Sequence, residues 1–391
     1  MSTPRSVLIA ALALTATLAL ASGIPARNCV DLVVPVTVAA NNTKYDILRV
    51  DSNIDAVEFT RARDIDQISL GPIAVGGQYN ISAQLCVPTT PIKHEKILLL
   101  ATHGVGFDKR AFDSGYRPEE FSFVDSALAQ GYATFAYDRL GAGLSSLPDA
   151  YDVLQTPLQG EVLRALTELS LSGLFFKDSV IQSGNAALAG YKAYKADKVV
   201  HVGHSYGSII TNWFIGQYGS LSAGAILTGF LIGNETAALK LEVADLAYAP
   251  EDDPVKFANR TSGYLVFGTA NAWQLDSFRK ETLDPQVLQY WSSELKTTLG
   301  VGELLSLGTG VGEVVRGFNG PLQMFVGEFD YGFCNGVCRG TFDTAQLAAL
   351  YPDATDFDVY LQPNTGHVVS LSLNATAGYQ VIFDFLYKNG L

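Results

Sequence analysis

Basic residues are scarce in this chain. Its 391 residues carry 26 Lys and Arg against 39 Asp and Glu, a formal net charge of −13, and Lys and Arg nowhere gather into a run. A surface this acidic repels phosphate backbones, which excludes nucleic-acid binding and argues against attachment to anionic lipid through a polybasic patch. Long apolar runs are missing as well. Beyond the first residues, no stretch reaches the ~18 uncharged apolar residues that a membrane span needs. Metal and cofactor signatures are lacking too. The four cysteines form no CxxC doublet, and His201 and His204 fall on opposite sides of a predicted strand end, so no metal site is expected. There is no Walker motif. Gly308-Thr309-Gly310-Val311-Gly312 places Glu313 where a dinucleotide fingerprint requires its third glycine, and Gly141-Ala142-Gly143 likewise lacks one. Neither a metal nor an organic cofactor is implied. Histidine is itself sparse, with five in all, which shortens the search for a base.

What is present describes a folded, exported protein. Hydrophobic residues make up 48% and charged residues 17%, enough to build a sizeable core in one large α/β domain or two ordinary ones. Arg5 precedes an uncharged apolar run, Val7 to Ala21. As a helix that run spans ~22 Å, short of the ~30 Å hydrocarbon core. Ala19 and Ala21 stand at the −3 and −1 positions of a cut before Ser22, with a cut one or two residues later as the alternative. Residues 1–21 therefore read as a signal peptide and 22–391 as the mature, secreted chain, with an uncleaved membrane anchor as the alternative that the short run argues against. Export favours oxidised cysteines, and the spacing suggests the pairs Cys29–Cys86 and Cys334–Cys338. Five glycosylation sequons, at Asn41, Asn80, Asn234, Asn259 and Asn374, fit the same route and predict solvent-facing asparagines.

The apolar pattern predicts a mostly parallel sheet with helices on both faces. Cys29 to Ala40, where Pro35 argues for an edge position, and Gln78 to Val87 open the fold as strands. Short continuous apolar runs follow, each ending in a polar, glycine-rich turn before a helical pattern: Ile97 to Ala101, Tyr132 to Tyr137 and Lys198 to Val202. Gly224 to Thr228, Leu322 to Val326 and Phe357 to Leu361 complete the strands. Runs without alternation suit strands buried on both faces. Between about 230 and 320 this rhythm breaks into aromatic-rich, helical pieces around Trp273, Phe278, Tyr290 and Trp291. An insertion there would cap the carboxyl edge of the sheet, where open α/β sheets bind ligands; further helices packed on the sheet are the alternative.

Chemistry concentrates at the strand ends. Gly203-His204-Ser205-Tyr206-Gly207 fits G-x-S-x-G, and it lies between an apolar strand and a helical pattern, the setting of a nucleophile elbow. A serine hydroxyl needs a base. His94 lies in a connection, His201 inside a strand, His204 diverges from its neighbour and His103 suits a structural turn, which leaves His367 after the last strand. The acid that orients it is sought after Leu322 to Val326, where Asp330 is favoured and Glu328 is the alternative. The order Ser205, Asp330, His367 is the one this topology demands. Oxyanion donors are expected from the Tyr206 N–H and from the turn His103-Gly104-Val105-Gly106, assigned to the Val105 N–H with Gly104 or Gly106 as alternatives.

These pieces, with Asp138-Arg139-Leu140-Gly141-Ala142-Gly143-Leu144-Ser145 and Gly366-His367, resemble the α/β-hydrolase-fold serine hydrolases, in particular secreted fungal esterase and lipase-like members. The resemblance spans roughly 97 to 390, with the cap region unmatched. Serine at 205 argues against the epoxide-hydrolase and haloalkane-dehalogenase branches, which place aspartate there. The resemblance implies a carboxylic-ester hydrolase working through an acyl-enzyme on a small-molecule substrate, and the aromatic cap suggests an apolar or neutral ester with a medium-sized apolar acyl or alcohol group. A peptidase of the aminopeptidase kind, with Glu251-Asp252-Asp253 holding the amine, or a lactonase would use the same triad. A non-catalytic ligand-binding protein of this fold is the alternative outside enzymes.

Overall fold

Two apolar patterns produce two kinds of strand. In β1 (Arg27–Tyr45) the alternating residues Val30, Leu32, Val34, Val36 and Val38 are buried while their neighbours are not, so one face packs on the core. It forms a long antiparallel ribbon with β2 (Ser69–Pro88), in which Cys29 lies directly opposite Cys86. That register explains the Cys29–Cys86 disulfide. The remaining sheet strands in the first half are β3 (Ile97–Thr102), β4 (Ala133–Tyr137), β5 (Val180–Gly184), β6 (Lys198–His204) and β7 (Gly224–Thr228). Apart from β5 these are short and almost wholly buried, as continuous apolar runs require. The structure, a computed structural model, describes residues 27–61, 65–89, 94–184, 194–233 and 243–391. The segment 1–21 read as a signal peptide and the sequon at Asn234 lie outside these residues.

After β7 the chain leaves the sheet. The inserted segment contains the small antiparallel sheet β8 (Leu246–Tyr248), β9 (Tyr264–Phe267) and β10 (Leu299–Gly300), so the expectation of a purely helical cap is corrected to a mixed one. These strands are too short for periodicity to reveal them. The chain returns through β11 (Leu322–Gly327) and β12 (Phe357–Gln362). The main sheet has nine strands in the order β12-β11-β7-β6-β3-β4-β2-β1-β5. From β12 to β4 all pairings are parallel, and β4, β2, β1 and β5 pair antiparallel. β1 is therefore not the outermost strand. Its pairing with β5 ends at Val33, so Pro35 lies just past it, where the missing N–H costs nothing.

Helices cover both faces. α1 (Thr156–Ser172) has Pro157 in its first turn, stops at Gly173 with φ +74°, and buries Leu158, Val162, Leu163 and Leu166. α2 (Tyr206–Tyr218) follows β6 directly. In the inserted segment lie α3 (Ala270–Ser277), α4 (Pro285–Tyr290) and α5 (Val301–Leu305). α6 (Ala375–Lys388) closes the chain, setting Tyr379, Ile382, Phe383 and Leu386 against the core. Among the described residues no helix is long and apolar enough to cross a membrane. Cys334 and Cys338 form the second disulfide, so both bonds belong to an oxidising environment. Asn41, Asn80 and Asn259 are exposed, but Asn374 is half-buried. Its Nδ2 donates to Pro363 O at 2.8 Å and Thr365 Oγ1 at 2.9 Å.

Candidate active site

Ser205 stands where β6 turns into α2, with φ +54° and ψ −120°. Non-glycine residues rarely hold positive φ, and such strain persists only where the surroundings impose it. Here they do. The Ser205 N–H donates to Thr228 O at 2.9 Å, and its carbonyl accepts the N–H groups of Ser208 and Ile209 at 2.8 and 3.1 Å. The flanking glycines are required by contact: a β-carbon at Gly207 would meet Thr102 O at 1.9 Å, and one at Gly203 would meet Ser208 Cα at 2.5 Å.

The two predicted partners meet on the loops after β11 and β12. Asp330 is fully buried, and its Oδ1 accepts the Phe333 N–H at 2.9 Å. Its Oδ2 accepts from His367 Nδ1 at 2.8 Å, which leaves Nε2 as the ring's free nitrogen. Burial alone would lower the His367 pKa, but the charge and hydrogen bond of Asp330, with a smaller contribution from buried Asp276, raise it to about 9. Glu328, the alternative acid, turns the other way. It pairs with Arg339 at 2.9 Å and accepts the Asn364 N–H at 3.1 Å. The Arg339 hydrogen bond, then that of the Asn364 N–H, hold its pKa below the usual carboxylate range.

His367 and Ser205 share one rim of the sheet. The His367 ring lies 5.0 Å from that of His204, the residue before Ser205. Among the described residues, the hydrogen bond of the His367 ring goes to Asp330 and none joins it to Ser205 Oγ. Catalytic hydrogen bonds are often loose without substrate. Ser205 and His367 are only 2% and 4% exposed, because the inserted segment roofs them: Val368 N–H, beside His367, donates to Ser277 O at 3.0 Å.

The other histidines have structural partners. His201 sits between Thr167 Oγ1 at 2.9 Å and Ser222 Oγ at 2.8 Å, and burial lowers its pKa to about 3. His204 Nδ1 meets Thr228 Oγ1 at 3.0 Å; that hydroxyl already donates to Gly203 O at 2.9 Å, so the imidazole is the donor. His94 stacks on Tyr132 at 5.0 Å. His103 is locked into its turn, with Nε2 accepting the Arg139 N–H at 3.0 Å and Nδ1 donating to Gly104 O at 2.8 Å. Burial first, and then the Arg139 charge, holds its pKa well below the ordinary value.

The turn that His103 anchors reaches Ser205. A β-carbon at Gly104 would meet Ser205 Cβ at 2.9 Å. The Val105 N–H makes no backbone hydrogen bond among the described residues, and the Tyr206 N–H is the first orphan donor of α2. Arg139 ties the two together. Fully buried, it donates to His103 O at 2.9 Å and Gly104 O at 3.0 Å, and its guanidinium lies 4.7 Å from the Tyr206 ring centroid. Its charge is met by Glu303 of α5, which Gln159 Nε2 and the Gly300 N–H also hold, at 2.9 and 3.0 Å. Sequence reasoning quotes Arg139 within its motif without a role and does not find Glu303. Two residues 164 positions apart give no periodic signal.

A model of the alpha/beta hydrolase family matches residues 97–377, well over half of the chain, and the chain belongs to that family. Among solved structures it is similar to a thermophilic esterase from Thermogutta terrifontis, with 15% identity over 87% of this chain and 98% of that one and a TM-score of 0.51. A bromoperoxidase from Bacillus anthracis is 16% identical over 89% of this chain and 100% of its own, with a TM-score of 0.49. A soluble variant of monoglyceride lipase from Saccharomyces cerevisiae is 14% identical over 79% and 91%, with a TM-score of 0.48. No curated protein matches the chain.

Proposed function

We propose that this hydrolase is a secreted serine esterase that cleaves a small, apolar or neutral carboxylic ester. The observation that carries the reading is the strained Ser205 at the carboxyl edge of the sheet, sharing that edge with the His367–Asp330 pair. Ser205 Oγ attacks the ester carbonyl as His367 Nε2 takes its proton, and Asp330 stabilises the imidazolium. The Tyr206 and Val105 N–H groups receive the oxyanion. His367 returns the proton to the departing alcohol, leaving an acyl-Ser205. Water then attacks that acyl group, giving its proton to His367, and collapse of the second tetrahedral intermediate frees the acid and restores Ser205 O–H.

The acidic run considered for a substrate amine is committed elsewhere, which favours an ester over an aminopeptidase substrate. Asp252 pairs with Lys296 at 2.7 Å, Glu251 accepts the Asn53 N–H at 2.8 Å, and Asp253 accepts the N–H groups of Val255 and Lys256. The test is fluorophosphonate labelling of the intact protein beside turnover of p-nitrophenyl esters of rising chain length. Labelling confined to Ser205, with turnover abolished in Ser205→Ala and His367→Ala, is the expected result. A folded protein that neither labels nor turns over esters would overturn it in favour of a binding role.

A further inference from the structure

The chain contains three tryptophans. Two of them, Trp273 in α3 and Trp291 immediately after α4, are at most 1% exposed and bury their indole N–H groups without an acceptor among the described residues. Both belong to the roof of the candidate site. Trp273 stacks on Phe267 with centroids 4.0 Å apart, and a β-carbon at Gly106, in the turn carrying Val105, would meet its Cη2 at 2.5 Å. Trp291 lies 5.4 Å from Trp273 and 4.5 Å from Phe107, whose ring is in turn 5.6 Å from His204, next to Ser205.

Buried donors are nearly always paired in native proteins, and an unpaired one calls for a reason. Packing explains the large indole bodies, which fill volume a phenylalanine ring would leave empty, but not the two donors left unsatisfied among them. An N–H laid on a ring face recovers only part of a lost hydrogen bond. Two orphan donors in one aromatic cluster, packed against Gly106 and Phe107 beside the turn that reaches Ser205, have the form of a recognition site: apolar walls with a few placed polar groups.

We infer that Trp273 and Trp291 are specificity-determining residues, and that the substrate is an ester carrying a second oxygen acceptor, a ketone, ether or further ester, beyond the scissile carbonyl. The inference rests on the esterase reading of Ser205. A site built to hydrogen-bond such an oxygen rejects the analogue lacking it far more strongly than a greasy pocket rejects one methylene.

The experiment uses matched esters. p-Nitrophenyl 4-, 5- and 6-oxoalkanoates, and butyrates of oxo-alcohols, are each compared with the alkane isostere. For at least one pair, kcat/KM should favour the oxo ester by ~10-fold or more. Trp273→Phe or Trp291→Phe should collapse that ratio, a readout that general loss of packing leaves unmoved because both esters share it. Oxo esters treated like their isosteres throughout, or a preference that survives the double variant, overturns the inference alone, since alkyl-ester turnover still supports the esterase. Absence of any ester turnover and of Ser205 labelling removes the esterase reading and this inference with it. Where the variants do not fold, the indole N–H resonances of the Ser205→Ala protein decide, with Trp213 as internal control. A downfield shift of the Trp273 or Trp291 signal with the favoured oxo ester supports the inference, and equal response to the isostere overturns it.

Discussion

The contact that orients His367 also sets when it can work. With its pKa raised to about 9 by Asp330 against the opposing effect of burial, the ring is mostly imidazolium at neutral pH, and in the proposed mechanism it must lose that proton before it can accept one from Ser205. For the free enzyme, kcat/KM is therefore expected to climb with pH and level off above about 9. In Asp330→Asn the rising limb should move to lower pH while the plateau falls by ~10³ to 10⁴; Glu328→Gln should keep activity within about twofold, because that carboxylate serves Arg339. Stability should run the opposite way. The folded state raises this pKa above its ordinary 6.5, so the pair's contribution is complete below about pH 6.5 and disappears as pH rises through about 9. Thermal melts of the native protein and His367→Gln should differ most in acid and converge in alkali; a gap that widens with pH would contradict this. Of two acids two residues apart the sequence favoured Asp330, but the contacts of Glu328 with Arg339 and the Asn364 N–H were not legible in it, because they exist only in the folded loop.

Among the elements, the elbow is the least tolerant. A β-carbon at Gly207 would sit 1.9 Å from the Thr102 carbonyl of β3, and backbone on both sides cannot yield as a flexible side chain could. Gly207→Ala is expected to cost ~3 kcal/mol or more, read by urea unfolding, whereas Gly308→Ala, which meets nothing within 4 Å, should change stability by less than ~0.5 kcal/mol. This element was legible in advance because an apolar strand, G-x-S-x-G and a helical pattern adjoin one another. β3, β4, β6, β7, β11 and β12 were legible as continuous apolar runs. β5 was not: its five residues are all exposed, so it carries no burial pattern and owes its place to the β1 edge it covers.

On the scale of the whole molecule, a buried ion pair ties the roof to the turn carrying Val105, beside the backbone bond from the Thr297 N–H to Gly106 O at 2.9 Å. Arg139 holds the His103 and Gly104 carbonyls, and Glu303 answers its charge from the inserted segment. Removing one partner leaves the other charged and buried, so Glu303→Gln should destabilise the protein by ~3 to 5 kcal/mol in urea unfolding. Replacing both residues by apolar ones, Arg139→Met with Glu303→Leu, should recover most of that stability but not the activity, since the carbonyls on either side of the turn lose their tether. Full recovery of kcat in the double variant would show that Arg139 serves packing alone. Hydrophobic periodicity cannot foretell such a link, because both residues are charged and their pairing exists only once the segments have docked.

Asn374 carries an implication for how the chain matures. Glycan transfer uses the side-chain nitrogen and leaves it a single hydrogen, whereas here that nitrogen spends two, on Pro363 and Thr365, at the base of the loop that presents His367. In a chain passing through the secretory route, folding and glycosylation thus compete for the same atom. Glycopeptide mass spectrometry of the active fraction is expected to find sugar at Asn41, Asn80 and Asn259 and a bare Asn374, with molecules modified there accumulating in the inactive fraction.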